Sequence, residues 1–272
     1  MPFERLEGPH DPRVADYRLV TEPQLVQARG FFVAEGRLIV RRLIEDGRHA
    51  FRSVLVSDAA FDSLEGLLSP LAGTVAIYVG SASDLRGIAG YDVHRGCLAI
   101  VERPARLTCQ DVLAGMASRA TLVVLEGVTN ADNVGGVFRN AAAFGAAGVL
   151  LSPTCCDPLY RKAIRTSMAA TLRIPHARIE HWPEGLAPLR DHGFTIVALT
   201  PGQPSVTLDA FARAPRPGRI ALLVGTEGDG LTPAAAAAAD VRVCIPLAPA
   251  IDSLNLAVAA GIALHRLRED AP

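Results

Sequence analysis

Apolar residues in the second half of the chain fall into short unbroken runs: Thr121–Val128, Gly148–Leu151, Phe194–Leu199, Arg219–Val224 and Val241–Leu247. They are rich in Val, Ile and Leu and lack a clean alternation, which is how strands read when helices cover both faces of a parallel sheet. Stretches of helical spacing lie between them: Asn133–Phe144 closed by Gly145, Leu159–Leu172, Thr232–Ala239 with Pro233 in its first turn, and Asp252–Leu267. Strand and helix alternate throughout, so residues 106–272 are expected to form one α/β domain.

The first 105 residues have a different texture. Phe31–Gly47 reads as a helix, followed by short strands at Ser53–Val56, Val75–Val79 and Cys97–Val101, and the proline-containing stretch Glu102–Arg106 is the expected joint. Residues 1–105 are therefore expected to be a small α/β domain of ordinary size.

Composition changes this picture little. Of 272 residues, 50% are hydrophobic and 20% charged, which suits a globular protein with a sizeable core. No amino-terminal signal core and no run of bilayer-spanning length is visible, so the expected location is cytoplasmic, with no membrane partner. Five cysteines without CxxC spacing suggest reduced, mostly buried thiols. The net charge of −1 gives no overall argument for nucleic acid. Its distribution does: between Leu159 and Arg178 lie Arg161, Lys162, Arg165, Arg173 and Arg178 with no acidic residue. Arg161 and Arg165 would share a helix face, either as a solvated surface or as phosphate contacts.

Several chemistries are excluded by pattern. There is no GxxxxGK[ST] phosphate loop, no GxGxxG, no HExxH or other metal spacing, and no GxSxG nucleophile. What remains is polar, glycine-rich and without metal. Three segments carry it: Asn133–Arg139, Gly225–Leu231 and Ile245–Asn255, each placed after an apolar run and before a helical pattern. Loops so placed gather outside the carboxyl ends of the strands, where open α/β sheets bind ligands.

In this order the three segments resemble the SpoU (TrmH) family of RNA ribose 2′-O-methyltransferases of the SPOUT superfamily. Motif one is similar to Asn133, Gly135, Arg139 and Ala143-Phe144-Gly145. Motif two is similar to Gly225, Glu227, Gly230 and Leu231, and motif three to Ile245-Pro246-Leu247 through Ser253-Leu254-Asn255. The resemblance covers about residues 119–268. It implies a trefoil-knotted methyltransferase domain with a mostly parallel sheet and a homodimer with sites at the interface. Before it would stand a small RNA-binding domain like a ribosomal-protein fold, suggested also by Phe32–Gly36 and Gly96–Ala99.

The implied reaction is methyl transfer from S-adenosylmethionine to a ribose 2′-hydroxyl of structured rRNA or tRNA, without a metal. In-line displacement requires that two reactants be aligned. Glycine loops let backbone groups approach and read an adenine. Cofactor contacts are then expected at Leu125, Gly225, Thr226, Glu227, Gly230, Leu231, Ile245, Leu247, Ser253 and Leu254. Arg139 is the expected catalytic residue, able to clamp a phosphate and favour a developing alkoxide. Asn133, Glu227, Ser253 and Asn255 would converge with it on one pocket, while Arg161, Lys162 and Arg165 would hold RNA phosphates.

Asn133 could equally be an N-cap, as could Asp252 or Ser253, whereas Asn255 is expected inside its helix. The chain departs from the family at three points: Pro249-Ala250 where a glycine is common, Ala169 for a glycine, which is expected to be a mild change, and Asn140 beside Arg139 for a threonine. The first leaves open a non-catalytic RNA-binding or ribosome-assembly factor that kept the fold and lost cofactor affinity.

Overall fold

A computed structural model describes residues 3–18, 24–201 and 204–268. The chain divides into two units, one of residues 1–105 with 159–169, the other of residues 106–158 with 170–272. The boundary near 105 lies where the sequence places it. The segment Leu159–Ala169, expected in the second domain, belongs to the first unit.

The first unit begins with β1 (Glu4–Arg5), β2 (Phe31–Glu35), α1 (Arg37–Asp46), β3 (Phe51–Ser57), α2 (Asp58–Leu68), β4 (Ala76–Gly80), α3 (Ala82–Ala89) and β5 (Cys97–Glu102). Its sheet has the order β1-β4-β3-β5-β2, with β2 and β3 antiparallel to β5 and the remaining pairs parallel. The expected helix over 31–47 is corrected here: Phe31–Glu35 is a strand and the helix starts at Arg37. Gly36, at φ 97 and ψ 142, stops the helix from extending backward, and the Phe-Phe-Val run before it favours a pleated surface.

In the second unit the order is α4 (Cys109–Leu113), β6 (Ala120–Leu125), α5 (Ala131–Ala143) and β7 (Gly148–Leu151). Helix α6 (Arg161–Thr166) intervenes and belongs to the first unit. The second unit resumes with β8 (His176–Arg178), α7 (Ala187–Asp191), β9 (Phe194–Leu199), β10 (Val206–Thr207), α8 (Leu208–Arg213), β11 (Arg219–Val224), α9 (Pro233–Ala237), β12 (Val241–Cys244) and α10 (Leu256–Leu267). All its strand pairs are parallel, in the order β10-β12-β9-β11-β6-β7-β8.

Leu122, Val124, Leu150, Ile196, Ala198, Ala221 and Leu223 pack into one cluster with Leu186, Leu189 and Ala235. The alternating Val123, Leu125, Leu222 and Val224 are as buried on the other face, which is why these strands carry no polar alternation. In register, Val224 stands opposite both Leu125 and Leu199, and Val243 opposite Leu199. The segments that follow β6, β11 and β12 therefore leave the sheet at one edge.

A candidate site at the carboxyl edge of the parallel sheet

Asn133, buried to 5% exposure, stands in the first turn of α5, and its Oδ1 accepts a hydrogen bond of 3.0 Å from Asn255 Nδ2. The same Nδ2 donates to Glu227 Oε1 at 2.7 Å, and the Leu256 N–H reaches that oxygen at 3.3 Å. Asn255 thus joins one residue from each of the other two polar loops, although the three together span more than a hundred positions of the chain.

Asn255 is the N-cap of α10, its Oδ1 accepting from the Val258 N–H at 3.1 Å, so the helix begins at Leu256 and not at Asp252. The expectation that Asn255 lies inside the helix is corrected: it caps with its oxygen and bridges the loops with its nitrogen. Asn133 is not a cap. That role falls to Asn130, whose Oδ1 accepts from the Asp132 N–H at 2.8 Å. Ser253 is exposed in the loop before α10, and neither it nor Asp252 caps the helix.

Arg139 is exposed on α5 and has no hydrogen-bond or ion-pair partner among the described residues. Six helical positions separate it from Asn133, which turns it about 120° around the axis from that side chain. The expected convergence of five residues is therefore met within the chain by three, Asn133, Glu227 and Asn255. Arg139 and Ser253 stand outside their hydrogen-bond network. Asn140, next to Arg139, ties α5 to α10: its Nδ2 donates to the Ala257 carbonyl at 2.6 Å, over Gly261.

Motif two is a tight loop. Thr226 and Gly230 exchange two backbone hydrogen bonds of 3.1 and 3.2 Å, with Gly228 and Gly230 at φ 86 and 70. A Cβ on Gly225 would fall 2.2 Å from the Gly230 carbonyl, so that glycine is required by the loop's own backbone. In motif three, the Ile251 N–H closes a turn on the Ala248 carbonyl at 2.9 Å. Pro249 occupies the second position of that turn, where fixed φ helps and no N–H is needed, and Ala250 keeps a negative φ. Among the described residues, the backbone N–H groups of Leu247, Ser253 and Leu254 have no protein acceptor. Leu231, Ile245, Leu247 and Leu254 are half-buried beside them, and Leu125 ends β6 as a fully buried residue.

Arg161, Lys162 and Arg165 lie on α6. Arg165 Nη1 donates to Glu35 Oε2 at 3.2 Å, Arg161 Nε approaches the same oxygen at 3.6 Å, and the Arg161 guanidinium stacks 4.1 Å over the Tyr91 ring. Glu35 is 1% exposed and also accepts from the His94 N–H, so two of the three basic residues serve a buried carboxylate of the first unit. Arg178 donates to the carbonyls of Ser152, Pro153 and Cys155, shaping the turn after β7.

The sequence did not point to Glu126, Trp182 or Thr232. Glu126 is buried at the end of β6 and receives hydrogen bonds from the other two. A carboxylate within the apolar run Thr121–Val128 was the available signal, hidden by reading the strand through to Val128 when it ends at Leu125.

A profile of the SpoU rRNA Methylase family matches residues 120–265, more than half of the chain and all three loops. The chain belongs to the SpoU rRNA methylase family. One relative agrees along nearly the full length: a protein of Mycobacterium bovis described as an uncharacterized tRNA/rRNA methyltransferase is 38% identical over 262 residues, 94% of this chain and 88% of its own. The 23S rRNA (guanosine-2′-O-)-methyltransferase RlmB of Ralstonia nicotianae is 31% identical over 181 residues, 66% of this chain and 71% of its own. A solved structure of S-adenosylmethionine-bound rRNA methyltransferase from Sinorhizobium meliloti superimposes with a TM-score of 0.81 at 24% identity, covering 98% of both chains. The parallel α/β architecture is thus that of SpoU-type methyltransferases.

Proposed function

We propose that this SpoU family member transfers a methyl group from S-adenosylmethionine to a ribose 2′-hydroxyl of structured RNA. The observation that carries the reading is the Asn133–Asn255–Glu227 network, which joins the three family loops at one sheet edge. The name of the RlmB relative supports the ribose 2′-oxygen as acceptor. Bound there, S-adenosylmethionine supplies an electrophilic methyl.

The residues present fit such a ligand. Unbonded N–H groups at Leu247, Ser253 and Leu254, flanked by half-buried Leu231, Ile245 and Leu247, offer donors and an apolar slot to a flat heterocycle. The chemistry asked of the chain is alignment and charge stabilisation. Asn255 and Glu227 hold the loops in register. Arg139 clamps the phosphate beside the target ribose and steadies the oxygen as it loses its proton. Because Arg139 stands off the network within one chain, the reading includes a homodimer with sites at the interface, where Arg139 can serve the partner's site. Val258 and Ile262, one turn apart on α10 and 51% and 41% exposed, supply an apolar stripe for that contact. Docking of α10 on α5, after the chain has passed β12, is compatible with the trefoil knot implied by the family.

The first unit is proposed to bind RNA, with Arg161, Lys162 and Arg165 as phosphate contacts. Arg165 spends one donor on Glu35, and its guanidinium has others to offer. The assembly-factor alternative rested on Pro249-Ala250, and the turn that accommodates Pro249 supports the enzymatic reading over it.

Three measurements test the proposal. Calorimetry should detect S-adenosylmethionine binding to the wild-type protein. Ribose methylation mapped in RNA from cells with and without the gene should lose one 2′-O-methyl site. Arg139→Ala should lower methylation at least about 100-fold while leaving S-adenosylmethionine affinity unchanged. Undiminished methylation by Arg139→Ala would show that the catalytic assignment is wrong.

A further inference from the structure

Glu126 is 5% exposed at the carboxyl end of β6, and its contacts are hydrogen bonds from neutral groups. Trp182 Nε1 donates to Oε1 at 2.6 Å, Thr232 Oγ1 to the same oxygen at 2.7 Å, and the Thr232 N–H to Oε2 at 2.9 Å. A carboxylate so buried, with no cation among these partners, costs desolvation that an apolar strand residue would avoid. What an apolar residue could not do is join two separate segments by three charge-assisted hydrogen bonds.

One of those segments is motif two. Its loop leaves β11 at Gly225, turns between Thr226 and Gly230, and ends at Thr232, the N-cap of α9. Its tip is held by Asn255 through Glu227, and its far end by Glu126 through Thr232. Without the second anchor the far end of the loop is held only by the packing of Leu231 and the start of α9.

We propose that Glu126 is a positioning residue of the S-adenosylmethionine site, holding the 225–231 loop through Thr232 and coupling that loop to Trp182. The inference rests on the proposed function. Trp182 is the only tryptophan of the chain, so tryptophan emission comes from this residue and responds to changes around it.

The test uses the full-length protein with S-adenosylmethionine as probe, by calorimetry, by tryptophan fluorescence and by methylation kinetics. In the wild type, binding should shift Trp182 emission. Glu126→Gln presents an NH2 to one of the three donors and should raise Kd and KM for S-adenosylmethionine about tenfold, with a much smaller change in kcat and loss of the emission shift. Thr232→Val should act in the same direction, and the double variant should be no worse than Glu126→Gln, since both break one linkage. A purely structural role would lower the melting temperature without separating KM from kcat. Wild-type binding with unchanged affinity in Glu126→Gln, or independent effects in the double variant, overturns the positioning role. Should Glu126→Gln fail to fold, unchanged affinity in Thr232→Val overturns it equally. Absence of binding by the wild type overturns the proposed function itself.

Discussion

At the scale of single residues, backbone conformation gives some substitutions a weight that residue type alone does not. Ala169 reads as a mild replacement of glycine, yet it sits at φ 68 directly after Met168 at φ 55. The Met168 N–H bonds to the Arg165 carbonyl and the Ala169 N–H to that of Ile164, a Schellman closure of α6 that puts Met168 in the left-handed position. Two successive non-glycine residues in that region are costly. Ala169→Gly should therefore stabilise the protein by about 1 kcal/mol, part of the relieved strain being offset by a freer unfolded chain. Urea unfolding measures it, and a loss of stability would mean that the conformation is not strained. Asn133, Glu227 and Asn255 were legible as chemistry because their motifs are short and local. Glu126 was not, because its meaning lies in Trp182 and Thr232, each more than fifty positions away.

At the scale of elements, strands were easier to read than helix ends. Gly148–Leu151, Phe194–Leu199 and Arg219–Val224 match their apolar runs to the residue, since a strand buried on both faces must be apolar along its whole length. Helix starts shifted, by two residues at α5 and four at α10, where several polar side chains competed to cap. Asn255 won at α10 because its nitrogen has partners in Asn133 and Glu227. Asn255→Ala should cost about 1–2 kcal/mol in unfolding and also weaken methylation. Asn255→Ser keeps a capping oxygen and should restore most of the stability but not the activity, because serine is too short to bridge the loops. Equal recovery of both would reduce Asn255 to a cap.

The amino-terminal turn Pro12–Tyr17 makes a similar case with pH. Its N-cap Asp11 is buried, and the Arg13 guanidinium beside it holds the Asp11 carboxyl well below the usual carboxylate range. A depressed folded-state value contributes stability above the unfolded carboxylate value near 4, and that contribution fades as pH falls toward the folded one. Asp11→Asn should destabilise at pH 7, with the difference from wild type narrowing below about pH 4. A gap that stays constant with pH would show the charge to be immaterial.

For the whole molecule, the division into two units was visible as a change of texture near residue 105, but the ownership of α6 was not. Helical spacing in Leu159–Leu172 shows that the segment has an apolar face, and nothing local says which core receives it. The proposed dimer belongs to this scale. Replacing Val258 and Ile262 together by Glu should give a light-scattering mass near one chain and abolish methylation if Arg139 serves a partner's site. A monomeric variant that still methylates would place the whole site within one chain.

The pairing of Glu35 with Arg161 and Arg165 bears on how this protein can be dissected. The strand that carries the carboxylate is made early in synthesis, and its counter-charges follow some 125 residues later. A fragment ending at residue 105 would leave an anion in an apolar interior with nothing to neutralise it. The first unit is consequently not separable by a simple cut, and a faithful excision would have to carry residues 159–169 along, grafted back by a linker.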